Sequence, residues 1–312
     1  MPGFLPNPRA LDGRSAIVSA SSLLVPGASS APHPRARRRL APLLAASLAL
    51  VTVLGGLPGP AAAATTTVVA PTVAVPTAAA TSMAASVRGW INRDRAARGL
   101  VPLRNWSALA SLAAERATAM AEAGVLSHEV AGSNLTSVLG AHGIQAYSSA
   151  EIIGASTYPW GSRAASNIYS LWKASPTHRA IMFSSRYNYV GVAFVYRAAT
   201  KTTYASVVFS ESKDHTGAIA RNVSLRRSGT TITFTWTGSD PRLQTHTAGL
   251  RSFDVQYRVD AGGWRTIRND TTHRSLTMHS RPHGHWYSFR VQAADRRGNL
   301  SRWTGAKRIW VP

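Results

Sequence analysis

Cysteine is absent from all 312 residues, which excludes disulfides, thiolate-zinc sites and thiol nucleophiles and leaves stability to packing. Its absence does not argue against export. Negative charge is scarce as well, with 13 acidic residues against 31 Arg and 4 Lys, so the formal net charge is +22. A field of that sign attracts polyanions such as wall polymers, acidic glycans and anionic lipids. Heavy arginine use beside abundant Ala and Gly is also what GC-rich coding produces. No Gly-rich phosphate loop, acidic calcium loop or nucleic-acid motif accompanies the charge, so nucleic acid is not the expected partner.

Long apolar runs are equally sparse, and one is placed informatively. Arg35-Ala36-Arg37-Arg38-Arg39 precedes an uncharged stretch from Leu40 to Leu57, then Pro58-Gly59-Pro60 and Ala61-Ala62-Ala63-Ala64. That is the layout of a secretory signal peptide over 35–64, ending in a small-residue cleavage site. The apolar part falls short of the ~20 residues a spanning helix needs, so no stable membrane span is expected after cleavage, and an uncleaved signal would instead anchor the chain. The 34 residues before Arg35 exceed an ordinary n-region, as a start codon assigned too far upstream would give. Residues 1–64 therefore read as a leader, and the net charge on 65–312 is still +17. Residues 65–82, all Ala, Thr, Val, Pro and Ser, read as a linker.

From Met83 the apolar spacing becomes helical. Val87, Trp90 and Ile91 lead to a stop at Gly99; Ser107 caps a second helix with Leu109, Leu112, Ala113, Ala117 and Met120 on one face, ending at Gly124. Ser133 or Asn134 caps a short third helix closed by Gly143. Ala165, Ile168, Tyr169 and Trp172 mark a fourth, and Ser175-Pro176 opens a fifth. The period then falls to two at Val190, Val192, Phe194 and Tyr196, and again over 203–210, as a hairpin. Helices followed by a hairpin make 83–215 an α+β domain. From about Thr216 the remainder reads as seven short strands, a β-sandwich over 216–312.

Three polar residues of the first domain stand where chains turn: His128 after the Gly124 stop, Glu151 at the opening of an apolar segment, and His178 on the first turn after Pro176. Such groups converge readily on one cleft. Together they can bind Zn²⁺ with a water at the open position, as His128, His178 and Glu151 would, or they can form a hydrogen-bonded network that ties segment ends together. The His-Glu-x-x-His signature of zinc peptidases is missing. Ser127, Ser175 and Thr177 lie near histidines without a Gly-x-Ser-x-Gly elbow, and read as cap and turn residues. His273, His279, His283 and His285 crowd a late loop, where adventitious metal capture competes with simple solvation. The aromatics of the last hundred residues read mostly as core or cross-strand pairs, since a carbohydrate platform needs two exposed rings.

Residues 83–211 resemble the CAP superfamily in its bacterial secreted, SCP-like form. Trp90-Ile91-Asn92-Arg93-Asp94-Arg95-Ala96-Ala97-Arg98-Gly99-Leu100 looks like its opening helix and turn; Leu126-Ser127-His128 and Trp172-Lys173-Ala174-Ser175-Pro176-Thr177-His178-Arg179 match its Ser-His and Trp-x-x-Ser-Pro-x-His-Arg segments, and Val190-Gly191-Val192-Ala193 is similar to the strand that follows. The resemblance implies an α/β/α sandwich whose cleft, sometimes metal-occupied, is lined by His128, Glu151 and His178, with Glu211 as a fourth member. The chain departs from that family at Ala150-Glu151-Ile152, where Gly-Glu-Asn is usual. Residues 216–312 resemble a fibronectin type III module: Trp236 stands at its strand B tryptophan, and Tyr287-Ser288-Phe289-Arg290-Val291-Gln292-Ala293-Ala294-Asp295-Arg296-Arg297-Gly298-Asn299 follows its late-strand pattern, with Tyr287 as the tyrosine corner. The expectation is a secreted cell-envelope protein that binds a glycan, a lipid or an anionic wall component in that cleft, with the sandwich as spacer or adhesion unit. A metal-dependent extracellular hydrolase of peptide or wall polymer is the alternative, and a third reading gives the basic chain polyanion binding without cleft chemistry.

Overall fold

A computed structural model describes residues 16–24, 78–130 and 135–312, the first of these as backbone only. The signal peptide, most of the linker and the caps at Ser133 and Asn134 lie outside them. The first helix, α1 (Ala78–Ala96), begins within the segment read as linker, and buries Ala80, Met83, Val87 and Ile91. Helix α2 (Ser107–Ala123) starts one residue earlier than expected: Trp106 occupies the cap position and Ser107 is already helical. Gly124 closes it in the left-handed conformation at φ 72°, which glycine adopts without the Cβ penalty. Helices α3 (Leu135–Ala141), α4 (Ser162–Ala174) and α5 (Pro176–Met182) follow.

These helices cover a five-stranded sheet, ordered β1-β3-β5-β4-β2. Its strands are β1 (Ala16–Leu24), β2 (Arg104–Asn105), β3 (Ser148–Ser156), β4 (Tyr189–Arg197) and β5 (Thr202–Glu211). β3, β5 and β4 pair antiparallel, while β2 pairs parallel to β4 at Tyr189 and Val190 only. β1 lies antiparallel beside β3, with Ser21 opposite Glu151; its backbone comes from the segment read as leader, where no strand was expected. Helices α1, α4 and α5 pack on one face of the sheet through Ile91, Ile168, Trp172 and Met182 against Ala150, Ile152 and Val192. On the other face α2 and α3 pack against Ala193 and Val208, and α2 against Ile153 and Val195. This is the α/β/α sandwich that the resemblance implies.

The remaining residues form seven strands in two antiparallel sheets. β10-β7-β6 is one and β12-β11-β8-β9 the other, from β6 (Ile219–Ser228), β7 (Thr231–Ser239), β8 (Leu250–Val259), β9 (Arg265–Thr271), β10 (Ser275–Met278), β11 (His285–Asp295) and β12 (Lys307–Val311). Trp236, Phe253, Phe289 and Val291 fill the space between them. The Tyr287 hydroxyl donates to the Pro282 carbonyl at 3.3 Å, five residues upstream, as a tyrosine corner does.

The β7–β8 loop of this sandwich is built into the first domain. Leu243 is buried among Leu109, Leu112, Tyr189 and Val208, the Gln244 side-chain oxygen accepts from Val101 N–H at 2.7 Å, and Asn188 Nδ2 donates to the Thr245 carbonyl at 3.1 Å.

Candidate functional site

Alternation along β3 sends Ala150 and Ile152 to the α1 face and Glu151 and Ile153 to the α2 face. Glu151 is therefore a carboxylate in the layer between sheet and helix, 1% exposed, and every polar contact it makes is inside the protein. Arg116 of α2 grips it twice, Nε to Oε1 at 3.2 Å and Nη2 to Oε2 at 3.1 Å. Ser206 of β5 donates to Oε1 at 2.9 Å. The His128 Nδ1–H donates to Oε2 at 2.8 Å, and Arg116 also donates to the backbone carbonyls of His128 and Val130. Burial alone would raise the Glu151 pKa; the hydrogen bonds and charges of His128 and Arg116 outweigh it and hold the carboxyl below its ordinary range.

Since a carboxylate only accepts, the proton of a neutral His128 ring sits on Nδ1 and its Nε2 presents a lone pair. That Nε2 is buried with no hydrogen-bond partner among the described residues. His128 and Glu151 are thus brought together as expected, but around a guanidinium that sequence reasoning did not single out. A signal for it existed. Arg116 occupies a position of the stripe Leu109, Leu112, Ala113, Ala117 and Met120 that helical spacing turns toward the sheet.

His178 does not join them. It lies on α5, whose Ile181 and Met182 pack with the α1 and α4 face, and its Nδ1 pairs with the Ser175 hydroxyl at 2.7 Å. Ser175 does hold the α5 cap position with Pro176 behind it, yet its side chain serves the histidine and makes no bond to the helix N–H groups. Glu211, the suggested fourth member, ends β5 and pairs with His246 of the β7–β8 loop at 3.1 Å; it belongs to the junction between the two modules. Ser127 accepts from the Glu129 N–H as a turn residue.

The residues do not fit the expected Zn²⁺ centre. Among the described residues one group of three or more His, Asp or Glu brings its ligand atoms within 4.8 Å of one another, and it is Asp214, Asp240 and Asp295. His128, Glu151 and His178 form no such group, and the two Glu151 oxygens are already held by a buried cation. The late histidines disperse too: His285 pairs with Asp260, and His283 with the Pro312 carbonyl.

Open space lies elsewhere in this domain. Because β2 pairs with only two residues of β4, a groove of about 940 Å³ follows β4 from Val192 to Val195 between α1 and α2. Small side chains make its walls, including Ala80, Ala84, Ala110 and Ala114, with Phe194 at its floor. Arg88 stands at the α1 rim, bonded to Asn105 Oδ1 at 3.0 Å, and Glu115 of the α2 rim is engaged by His142 at 2.9 Å.

Comparison with known proteins bears on both modules. Residues 89–209 match the model of CAP, the cysteine-rich secretory protein family, although this chain carries no cysteine. No curated protein matches. Among solved structures, an outer surface protein of Borrelia burgdorferi is similar at 15% identity and TM-score 0.39, over 45% of this chain and 98% of that one. A cysteine-rich secretory protein of Staphylococcus aureus is similar at 23% identity and TM-score 0.35, over 44% of this chain and 40% of its own. A fibronectin type III-like protein of Clostridium thermocellum is similar at 22% identity and TM-score 0.22, over 29% of this chain and 91% of that one.

Proposed function

We propose that this chain, a CAP domain followed by a fibronectin type III-like module, is an exported binding protein of the cell envelope and that its ligand is a single-chain lipid held between α1 and α2. Export is expected from the basic, apolar and small-residue succession of 35–64; among the described residues no helix is long and apolar enough to cross a membrane. The observation that carries the ligand class is the groove itself. Alanines of both helices line it, among hydroxyls such as Thr81, Ser111 and Thr118, and its floor is Val192 to Val195, so an alkyl chain gains by leaving water along the alanines. Arg88, free of any salt bridge among the described residues, supplies a cation at the mouth for an acidic headgroup.

The His128–Glu151 network serves this reading as a rigid support below α2. As a base in hydrolysis Glu151 is already taken, its lone pairs given to Arg116, Ser206 and His128, and the lone pair on the His128 Nε2 is buried away from solvent. No observation favours the metal-dependent hydrolase.

Palmitate binding to the full chain, followed by native mass spectrometry or tryptophan quenching, tests the proposal. One molecule per chain is expected, with affinity lowered roughly tenfold or more when Ala114→Trp fills the groove and less steeply in Arg88→Ala. Absence of binding by the wild type, or equal binding by Ala114→Trp, would overturn it.

A further inference from the structure

We propose that the outward face of the sheet β12-β11-β8-β9 is a second binding site, and that its ligand is an acidic polysaccharide. Along β11, Tyr287, Phe289 and Val291 point into the sandwich core, so alternation sends Trp286 and Arg290 outward. The register places Trp310 of β12 opposite Trp286 and Gln256 of β8 opposite Arg290. Two indoles that a soluble module would ordinarily bury are left in solvent: Trp286 is 40% and Trp310 39% exposed, with ring centroids 5.5 Å apart. Two part-exposed rings thus stand side by side on this face, their planes inclined at 53°.

Arginines are interleaved with the rings. Arg308 lies over Trp286 at 4.6 Å, Arg290 lies over Trp264 at 4.2 Å and over Trp303 at 4.7 Å, and Arg258 lies over Trp264 at 4.8 Å. Three of the nine tryptophans of the chain, Trp264, Trp286 and Trp303, thus carry three guanidiniums on one sheet face, beside Trp310. None of these three arginines forms a salt bridge among the described residues. The carboxylates on this side are hydrogen-bonded but keep their charge. Asp254 accepts from the Asp270 N–H at 2.7 Å, and Asp260 accepts from His285 at 2.7 Å and from the Trp286 N–H at 2.8 Å.

The chemistry selects the ligand. Stacking on indole fixes a guanidinium in place before any ligand arrives, which lowers the ordering cost of binding. A planar fork of N–H donors fits a carboxylate or sulfate on two atoms. The apolar faces of pyranose rings cover exposed indoles well, whereas a neutral glycan leaves the three cations without counter-charge. Burial and then the neighbouring charge of Arg258 push the Arg290 pKa down, and its Nε and Nη2 both donate to the Gln256 side-chain oxygen, a neutral partner that leaves the charge uncompensated.

Polygalacturonate, an acidic uronate polymer, is the probe, with dextran as the neutral comparison and a single-stranded oligonucleotide as the non-sugar polyanion. The full chain is expected to retain polygalacturonate over dextran, more weakly as salt rises. The exposed pair Trp286→Ala/Trp310→Ala should lower that affinity about tenfold, and Arg308→Ala severalfold. Arg226→Ala, on an exposed arginine of the other sheet, should change it less than about twofold. Equal loss in Arg226→Ala, no loss in the double tryptophan variant, equal retention of dextran, or full displacement by the oligonucleotide at matched charge would each overturn the proposal. Since groove and sheet face lie on different modules, palmitate binding reports independently on the first site.

Discussion

Arg116 does at Glu151 what a bound cation would do, and burial sets the penalty for losing it. The guanidinium and carboxylate are 5% and 1% exposed, so Arg116→Ala would strand a carboxylate in the layer between sheet and helix. We expect it to lower unfolding stability by about 3–5 kcal/mol. Arg116→Met with Glu151→Gln should cost less than that single change, because no charge then stays unpaired; urea melts of the three proteins check both statements. The same network predicts an acid limb. The folded-state pKa of Glu151 is depressed, so its contribution is present above the unfolded carboxyl value and is lost as pH falls through the lower folded value. The wild type should lose stability below about pH 4.5 more steeply than the double variant. How much of this site was legible follows from where its charges stand. His128 and Glu151 were readable because each follows a chain reversal or opens an apolar run. Arg116 was hidden within an amphipathic pattern, where one charge among alanines looks like a tolerated exception and is in fact the centre of the network.

At the scale of elements, the close approach of α2 to the sheet depends on one missing side chain. A Cβ on Gly191 of β4 would lie 2.1 Å from the Leu109 carbonyl carbon and 2.3 Å from the Ala110 nitrogen, and backbone cannot swing aside as a side-chain tip can. Gly191→Ala should therefore cost about 1–3 kcal/mol, read as a lowered Tm, and should slacken the groove that α2 walls. β4 and β5 were readable in the sequence as a hairpin because their alternation is strong. β3 was not: all nine of its residues are buried, so it lacks the polar face that gives a strand its period, and its Ser, Ala and Gly content resembles a loop. That is why Glu151 was expected at a segment end and stands mid-strand. The α5 start was legible through Ser175-Pro176, but spacing could not show that the Ser175 hydroxyl would turn to His178.

For the molecule as a whole, the two modules were each visible in the sequence, and the way they join was not. Turn residues between β7 and β8 look like an ordinary sandwich loop, and only packing against α2, β4 and β5 reveals Leu243 as a core residue at 2% exposure. The junction also gathers Asp214, Asp240 and Asp295, whose repulsion opposes the contacts. Burial, and then the charges of Asp214 and Asp295, raise the Asp240 pKa against the pull of the Gly249 N–H and Arg104. For a carboxyl so raised, the stabilising protonated form is complete below the unfolded pKa and is lost as pH rises through the folded one, so the junction should be tightest in mild acid. Leu243 opposes that repulsion with a buried alkyl side chain, worth about 2–5 kcal/mol when cut to alanine. Calorimetry of the full chain should accordingly give one cooperative transition in the wild type and two resolved transitions in Leu243→Ala, with the separation widening from mildly acidic to neutral pH. A single unshifted transition in the variant would mean that the modules unfold together for another reason, and two transitions in the wild type would mean that the loop packs without coupling them.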